Sequence, residues 1–281
     1  MNRKKAEWSP FKIFVYLLLI SLAVLSVFPF YTMFINATRG TYEIQQQGIA
    51  LLPGDNMQNN MNILLGKSYN PMVGFMNSLI IATGATLCAV YFSSLTAYTL
   101  VVYRWRLREP FFMLILAVMM IPQQVVTIGF YQMVYRVGMT NNFLPLILPA
   151  IASPAIVFFM RQYLLATLSI DIIHSARIDG AGEFRIFNTI ILPIMKPAIA
   201  TQAIFVFVAS WNNFFLPLVL LTDSRRYTMP IMVSLLRGDI YRTEFGSVYL
   251  ALSMSVLPLF VIYFALSKYI IAGVQLGGVK E

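Results

Sequence analysis

The chain has 281 residues, of which 59% are hydrophobic and only 11% are charged. A soluble domain carries about 25% charged residues, so this composition excludes an ordinary soluble protein and indicates an integral membrane protein. The formal net charge of +9 does not imply a nucleic-acid partner, because the basic residues concentrate in the segments between long apolar stretches.

Six stretches without any charged residue predict six membrane-spanning helices. A helix that rises about 1.5 Å per residue needs roughly 20 residues to cross ~30 Å of hydrocarbon. None of the stretches shows the period-two pattern of a membrane β-barrel. The predicted fold is therefore an all-α membrane protein, a single transmembrane domain over residues 1–281, with spans at residues 13–36, 72–103, 110–135, 142–160, 197–222 and 245–267.

Several prolines fall inside these predicted spans. A break in a helix survives at membrane depth only where neighbouring helices or a cavity satisfy the freed backbone groups. The sequence therefore predicts irregular helices packed around a pathway, with breaks near some of the following residues: Pro29, Pro122, Pro145, Pro149, Pro154, Pro217 and Pro258.

The basic residues predict that both termini lie in the cytoplasm. Six spans place both ends on one side of the membrane, and cytoplasmic loops carry an excess of Lys and Arg. With the N-terminus inside, thirteen basic residues are cytoplasmic and seven are outside. The predicted outer loops are then residues 37–71, 136–141 and 222–244, in a multi-pass protein of the bacterial inner membrane.

No acidic residue and no histidine falls inside a predicted span, since all eleven acidic residues and the single histidine, His174, lie outside the spans. Ion-coupled carriers usually need such a group at membrane depth. Gly66-Lys67-Ser68 resembles the end of a P-loop, but Met61 stands where its first glycine belongs. We predict no catalytic residue and no metal site, so energy for transport would come from a partner; a six-span secondary carrier or channel is the alternative.

Residues 161–196, between the fourth and fifth spans, predict two short amphipathic helices joined by a glycine turn. Asp179-Gly180 is typical of a helix end followed by a left-handed residue, and Pro193 predicts the end of the second helix. Such a hairpin either lies on lipid headgroups or docks on a protein. Residues at spacings of three and four share one face of each helix: Ile170, Ile173, Ala176 and Arg177 on the first, and Phe184, Phe187, Ile190 and Ile191 on the second.

This segment resembles the coupling loop of the permease subunits of ABC importers. The resemblance is carried by Ala176, by Ile178-Asp179-Gly180-Ala181, by Phe187 and by Ile191-Leu192-Pro193. His174 stands where the family has a glutamate, and Ser175 replaces an alanine. Further matches resemble the maltose-type sugar permease family from Asn77 to the C-terminus: Asn77-Ser78-Leu79, Arg161-Gln162-Tyr163, Lys196-Pro197-Ala198, Ser210-Trp211-Asn212 and the tail Gly277-Gly278-Val279-Lys280.

The resemblance implies a permease subunit that imports a saccharide by alternating access, together with a second permease subunit, two cytoplasmic ATPases and an external solute-binding protein. ATP and magnesium would be bound by the ATPases, and this chain would bind no cofactor. The coupling loop would fit into a cleft on one ATPase. The residues that would make this contact are His174, Ser175, Ala176, Arg177, Ile178, Asp179, Gly180, Ala181, Phe184 and Phe187.

Five polar or aromatic side chains near mid-membrane have two interpretations: Trp211, Asn212 and Asn213 in the fifth span, and Gln123 and Gln124 in the third. An amide left unpaired in hydrocarbon costs several kcal/mol. These groups therefore either bond neighbouring helices, at about 0.6–2 kcal/mol per contact, or line the substrate pathway. In a pathway, amides would bond sugar hydroxyls and the indole ring would stack on a sugar.

Overall fold

The computed structural model describes residues 10–66, 70–237 and 243–278, and within these ranges every regular element is helical. The side chains of Gln123 and Gln124 lie outside the described part, as do Val279 and Lys280 of the tail. The all-α class is confirmed.

The helices are α1 Pro10–Ala37, α2 Thr41–Gln46, α3 Met57–Gly66, α4 Pro71–Val102, α5 Arg108–Met119, α6 Gln123–Arg136, α7 Leu144–Ile147, α8 Pro154–Thr167, α9 Ile170–Ile178, α10 Glu183–Ile186, α11 Leu192–Ile194, α12 Lys196–Trp211, α13 Phe215–Leu220, α14 Met229–Arg237 and α15 Phe245–Gly278, with 3₁₀ turns at Leu148–Ile151 and Ser224–Arg226 and a π-helical turn at Phe187–Ile191.

Four of the predicted spans correspond to helices that are long and apolar enough to cross a membrane. These are Pro10–Ala37, Pro71–Val102, Leu144–Thr167 and Phe245–Lys268. A fifth arises within the described residues if Glu183–Ile194 and Lys196–Trp211 count as one span, although the two are bent by 79°. The structure thus has four or five membrane-capable helices, against six predicted spans.

The remaining predicted spans are interrupted rather than missing. The stretch predicted at residues 110–135 divides into α5 and α6 around Pro122, which cannot donate a backbone hydrogen bond. The stretch predicted at residues 197–222 divides into α12 and α13 at residues 212–214. Each piece alone is too short to cross ~30 Å of hydrocarbon.

The chain forms two compact units, and the first combines the described parts of Met1–Ser68 and Leu235–Val256. Its long helix α1 buries none of its most apolar window inside the chain, as expected of a helix that faces lipid or a partner. The polar loop predicted at residues 37–71 contains the two short helices α2 and α3. A hydrogen-bonded core holds them to the start of α15.

The centre of this core is Asn60, which is 2% exposed. Its amide donates to the backbone oxygens of Ala37 and Arg39, both at 2.9 Å, and its backbone carbonyl accepts from the Ser247 hydroxyl at 3.0 Å. The buried Arg39 guanidinium donates to the backbone and side-chain oxygens of Gln47. Asn60 and Arg39 thus bond backbone oxygens of the polar loop, and these bonds help to fold it. Two other buried atoms of the unit, Asn36 Oδ1 and Ser253 Oγ, have no hydrogen-bond partner among the described residues.

The second unit is built around α4, which packs against α8 and α12. Residues with small side chains recur every three or four positions along one face of α4, and each is less than 5% exposed. Small residues allow helix backbones to approach closely in a membrane, where no hydrophobic effect drives association. The residues of this stripe are Ala82, Ala85, Ala89, Ser93 and Ala97.

We expect Gly246→Ala to destabilise the first unit by about 1–3 kcal/mol, the cost of overpacking a filled site. A Cβ at Gly246 would lie 2.3 Å from the backbone oxygen of Arg39 and 2.5 Å from the amide nitrogen of Asn60. Gly129→Ala in α6 is the matched control, because its Cβ meets nothing within 4 Å. The unfolding temperature of the purified protein in nanodiscs should fall for the first variant alone. Equal unfolding temperatures would contradict this packing.

Candidate functional site

The segment that resembles the coupling loop forms a helix–turn–helix hairpin. Helix α9 ends at Asp179, and Gly180 follows with φ +79°, the left-handed conformation that the sequence predicts. Ala181 donates its N–H to the Ala176 carbonyl, and Gly180 donates to the Arg177 carbonyl, both at 3.0 Å. This pair of bonds is a Schellman motif, which satisfies carbonyls that a helix end would otherwise leave unpaired.

The second arm continues beyond Pro193, so the prediction that this proline ends the helix is wrong. Helix α10 passes into the π-helical turn Phe187–Ile191, whose wider hydrogen bonding leads into α11, where Pro193 occupies the first turn. A proline is tolerated there because the first-turn N–H needs no intrahelical partner. The arm ends only at Met195, where the chain bends by 79° into α12.

The predicted faces of the two arms are partly correct. Ile173, Phe187 and Ile191 are each at most 1% exposed, within the core that packs on α4. Phe184, predicted to share their face, is 75% exposed, and Ile186 is buried in its place. The buried stripe centres on Ile186 and Phe187, so Phe184 lies beyond its edge and points away from α4.

The exposed surface of the hairpin combines apolar side chains with charged ones, including Asp171, Asp179 and Arg185. Ile178 is 86% exposed, and Phe184 and Ile172 are also exposed. We call these three apolar residues the hairpin tip. An exposed apolar surface with polar residues around it is typical of an interaction site. His174 and Ser175 are also exposed in the hairpin.

An ion pair joins the two arms and attaches them to α4. Arg177 Nε donates to Glu183 Oε1 at 2.7 Å, and the Tyr98 hydroxyl donates to Glu183 Oε2 at 2.8 Å. The Arg177 guanidinium lies 5.4 Å from the centroid of the Tyr103 ring. The hydrogen bond from Arg177 is the main reason that the pKa of Glu183 is lowered to about 2.

The sequence pattern predicts a role for Arg177 but not for Glu183 or Tyr98. A signal was present for Glu183, because an acidic residue six positions after Arg177, across a two-helix turn, can reach back to it. No sequence pattern identified Tyr98, since its distance from Glu183 along the chain is 85 residues.

A cavity of about 730 Å³ lies within the second unit. Its wall comes from six helical elements, namely α4, α6, α7, the 3₁₀ turn Leu148–Ile151, α12 and α13. Some of them adjoin breaks, because α6 begins after Pro122 and residues 212–214 separate α12 from α13. The lining residues are Ala85, Val126, Thr127, Phe130, Pro145, Leu146, Pro149, Ala150, Ser153, Val206, Ala209, Ser210, Asn213, Phe215 and Leu216.

The predicted pathway residues separate into different environments. Asn213 lines the cavity, whereas Asn212 is exposed outside its lining. Trp211 is 1% exposed, with its ring centroid 5.4 Å from that of Phe75 and 5.7 Å from that of Phe207. The expectation that the indole stacks on a sugar is therefore corrected, because aromatic neighbours already enclose the ring.

Comparison with known proteins identifies the family. Residues 89–275 match the family described as binding-protein-dependent transport system inner membrane component. This range contains α5 to α14 with the hairpin, the C-terminal part of α4 and most of α15. The chain belongs to this family. Members of this family work as part of a binding-protein-dependent transport system. The alternative prediction, a six-span secondary carrier or channel, is therefore wrong.

Individual relatives align over nearly the whole chain. The arabinooligosaccharides transport system permease protein AraQ of Bacillus subtilis (strain 168) is 32% identical over 282 residues, covering 100% of both chains. The lactose transport system permease protein LacG of Rhizobium radiobacter is 31% identical, covering 94% of this chain and 95% of that protein.

The fold also matches a crystal structure of a bacterial ABC transporter involved in the import of the acidic polysaccharide alginate. The TM-score is 0.82 at 21% identity, over 95% of this chain and 100% of that chain. The two chains thus share the helical fold at low sequence identity.

We expect Gly180→Val to abolish transport while the protein still inserts in the membrane. A β-branched residue at φ +79° is strained, and the Schellman motif would be lost. Gly182→Ala is the control, because Gly182 has φ −71° and open space around its Cα. Retention of the ATPase on the tagged subunit after membrane extraction should fall for Gly180→Val only. Normal uptake by that variant would show that the turn tolerates a right-handed backbone.

Proposed function

We propose that this chain is the permease subunit of an importer for a saccharide, which an external solute-binding protein delivers and which crosses by alternating access. ATP hydrolysis, with ATP and magnesium bound by two partner ATPases, would supply the energy. The named relatives AraQ and LacG, which belong to arabinooligosaccharide and lactose transport systems, support a saccharide substrate.

The observation that carries the proposal is the convergence of broken helices on one cavity. Transporters bind their substrates near the bilayer midplane where discontinuous helices meet, because irregular backbone is tolerated only beside a cavity. The 3₁₀ turn Leu148–Ile151 and the break at residues 212–214 contribute Pro149, Ala150 and Asn213 to the lining of the cavity of about 730 Å³, and α6, which begins after Pro122, contributes its first turns. That volume lies in the range of small-ligand sites, roughly 300–1,000 Å³.

The chemistry of the lining suits a neutral polyol. Its polar side chains are hydroxyls and one amide, from Thr127, Ser153, Ser210 and Asn213, and the lining contains no charged residue. Asn213 offers both a donor and an acceptor, which matches a sugar hydroxyl. The rings of Phe130 and Phe215 supply apolar faces of the kind on which a sugar ring packs.

We further propose six spans, with α5 and α6 forming a broken third span and α12 and α13 a broken fifth. This arrangement keeps both termini cytoplasmic in the bacterial inner membrane and places the hairpin inside the cell. The thirteen-to-seven bias of basic residues supports it. It also places the loop at residues 222–244 outside, on the side where a solute-binding protein acts.

The hairpin is the proposed contact with an ATPase. The hairpin tip is exposed and apolar, and a complementary cleft on a partner would bury its three side chains, Ile178, Phe184 and Ile172. His174 and Ser175 would border that contact. A second permease subunit would complete the pathway, since α1 buries none of its apolar window within this chain.

Topology can be tested with single cysteines in a Cys88→Ala background. We expect Thr222→Cys, exposed in the proposed outer loop, to react with a membrane-impermeant maleimide in intact spheroplasts. Ser175→Cys, exposed in the hairpin, should react only in urea-washed inside-out vesicles. Labelling of Ser175→Cys in intact spheroplasts would overturn the orientation.

Transport itself tests the cavity. The tagged subunit should co-purify with a P-loop ATPase, and the complex in proteoliposomes should accumulate lactose or arabinooligosaccharides only with ATP. Asn213→Leu should lower that uptake about tenfold, the loss of one hydrogen bond worth about 1.4 kcal/mol. Asn212→Leu should stay within about twofold of the parent. Equal effects of both variants would contradict the assignment, and failure of Asn213→Leu to assemble would favour a helix–helix bond.

A further inference from the structure

The first turns of α4 hold a segment that is distant along the chain. The Asn77 amide donates to the backbone oxygens of Arg225 at 3.0 Å and Tyr227 at 2.9 Å. The Ser78 hydroxyl accepts the backbone N–H of Met229 at 2.8 Å. Asn77 and Ser78 are 8% and 3% exposed. These bonds satisfy backbone groups that no regular secondary structure pairs.

Packing reinforces these hydrogen bonds. A Cβ at Gly74 would lie 2.7 Å from Met232 Cγ and 3.3 Å from the Met229 nitrogen. Met229 and Met232 are at most 1% exposed. The segment at residues 225–232, which we call the outer segment, is therefore fixed to one end of α4 by both polar and steric contacts.

The opposite end of α4 holds the hairpin. Tyr98, 2% exposed, donates to Glu183, which in turn accepts from Arg177. The Tyr98 ring also packs on Phe187, with centroids 5.7 Å apart. Tyr98 thus links both arms of the hairpin to α4, and Tyr91 adds a second contact, with its ring centroid 5.6 Å from that of Phe187.

Between these two attachments α4 is continuous. Its 32 residues carry no internal proline, and the 21 residues from Asn77 to Tyr98 span roughly 32 Å at ~1.5 Å per residue. By contrast, α5 and α6, α7 and α8, and α12 and α13 are each separated by a break. When one end of a continuous, packed helix moves, the other end moves with it. A broken helix can bend at the break instead.

We propose that α4 is a rod that passes motion between the hairpin and the outer segment, with Asn77 and Ser78 as positioning residues at one end and Tyr98 at the other. Hairpin motion driven by the ATPases would then move the outer segment. Conversely, the solute-binding protein would signal along α4 to the ATPases. This inference rests on the proposed function, which places the hairpin inside and the outer segment outside.

If α4 acts as a rod, the effects of mutations at its two ends should not be additive. Two sites roughly 32 Å apart that affect only local stability should have additive effects. Two attachments of one rod should not, because losing either end already interrupts transmission. The measurement is the ratio of ATPase activity with and without the cognate solute-binding protein, loaded with whichever of lactose and arabinooligosaccharides it retains, for the complete importer in nanodiscs.

We expect Asn77→Leu and Tyr98→Phe each to lower this stimulation ratio at least fivefold, the lower range of allosteric coupling. Tyr98→Phe removes one hydroxyl and keeps the ring, and Ser78→Ala is a milder change at the other end should Asn77→Leu not assemble. The double variant should be no worse than the stronger single variant. Met76→Ala, exposed on the same turn as Asn77, should leave the ratio unchanged.

The outcomes separate the two proposals. A parent importer that its binding protein does not stimulate would overturn the proposed function, and the rod with it. A stimulated parent with unchanged ratios in the single variants would overturn the rod alone. So would a double variant whose loss equals the product of the two single losses, because independent local damage produces that result.

Discussion

In the hydrocarbon of a bilayer, backbone N–H and C=O groups have no water to bond, and this constraint explains where the chain can be irregular. Helices α1, α4 and α15 are continuous, although α1 contains Pro29 and α15 contains Pro258, two of the prolines at which breaks are predicted. The breaks at Leu148–Ile151 and at residues 212–214 instead contribute Pro149, Ala150 and Asn213 to the lining of one cavity. A cavity beside a break is where this constraint tolerates irregular backbone.

The same constraint explains which parts of the fold were predictable. Charge-free stretches of about 20 residues are visible in the sequence, so the membrane-capable helices α1, α4 and α15 were predicted. Interruptions were also predicted near Pro122 and Pro217. The break at residues 212–214 agrees with the second, because the ring of Pro217 opposes the carbonyl of Asn213, four residues earlier. The two asparagines indicated polarity at that depth, but only the structure shows that Asn213 faces the cavity and Asn212 does not.

Contacts between residues that are distant along the chain could not be predicted from the sequence, for a different reason. Ser169 to Ile191 carry a family pattern, and the left-handed Gly180 follows from local backbone chemistry. The bond between Tyr98 and Glu183 depends on how α4 and the hairpin pack, over a separation of 85 residues. For Trp211 the sequence left two interpretations open, because an aromatic residue beside two amides suits either a binding site or a packed core. The packing of its ring on Phe75 and Phe207 in the structure supports the core.

Burial and hydrogen bonding also explain how the hairpin tolerates His174. The one carboxylate of the second arm, Glu183, is committed to Arg177 and Tyr98, and its pKa is lowered to about 2. A lowered carboxyl pKa contributes stability that is complete above the unfolded value near 4.5 and is lost as the pH falls through about 2. Lowering of the Glu183 pKa by Arg177 therefore favours the ion pair at neutral pH.

Glu183 cannot replace the glutamate that the family pattern has at position 174, because its oxygens already accept two hydrogen bonds. Among the exposed residues of the hairpin, the apolar Ile178 and Phe184 are more than 70% exposed. Apolar burial contributes roughly 25 cal/mol per Å², whereas an exposed ion pair contributes about 0–1 kcal/mol. Burial of these two side chains in a partner would therefore contribute more to docking than one carboxylate at position 174, so the proposed contact does not depend on a glutamate there.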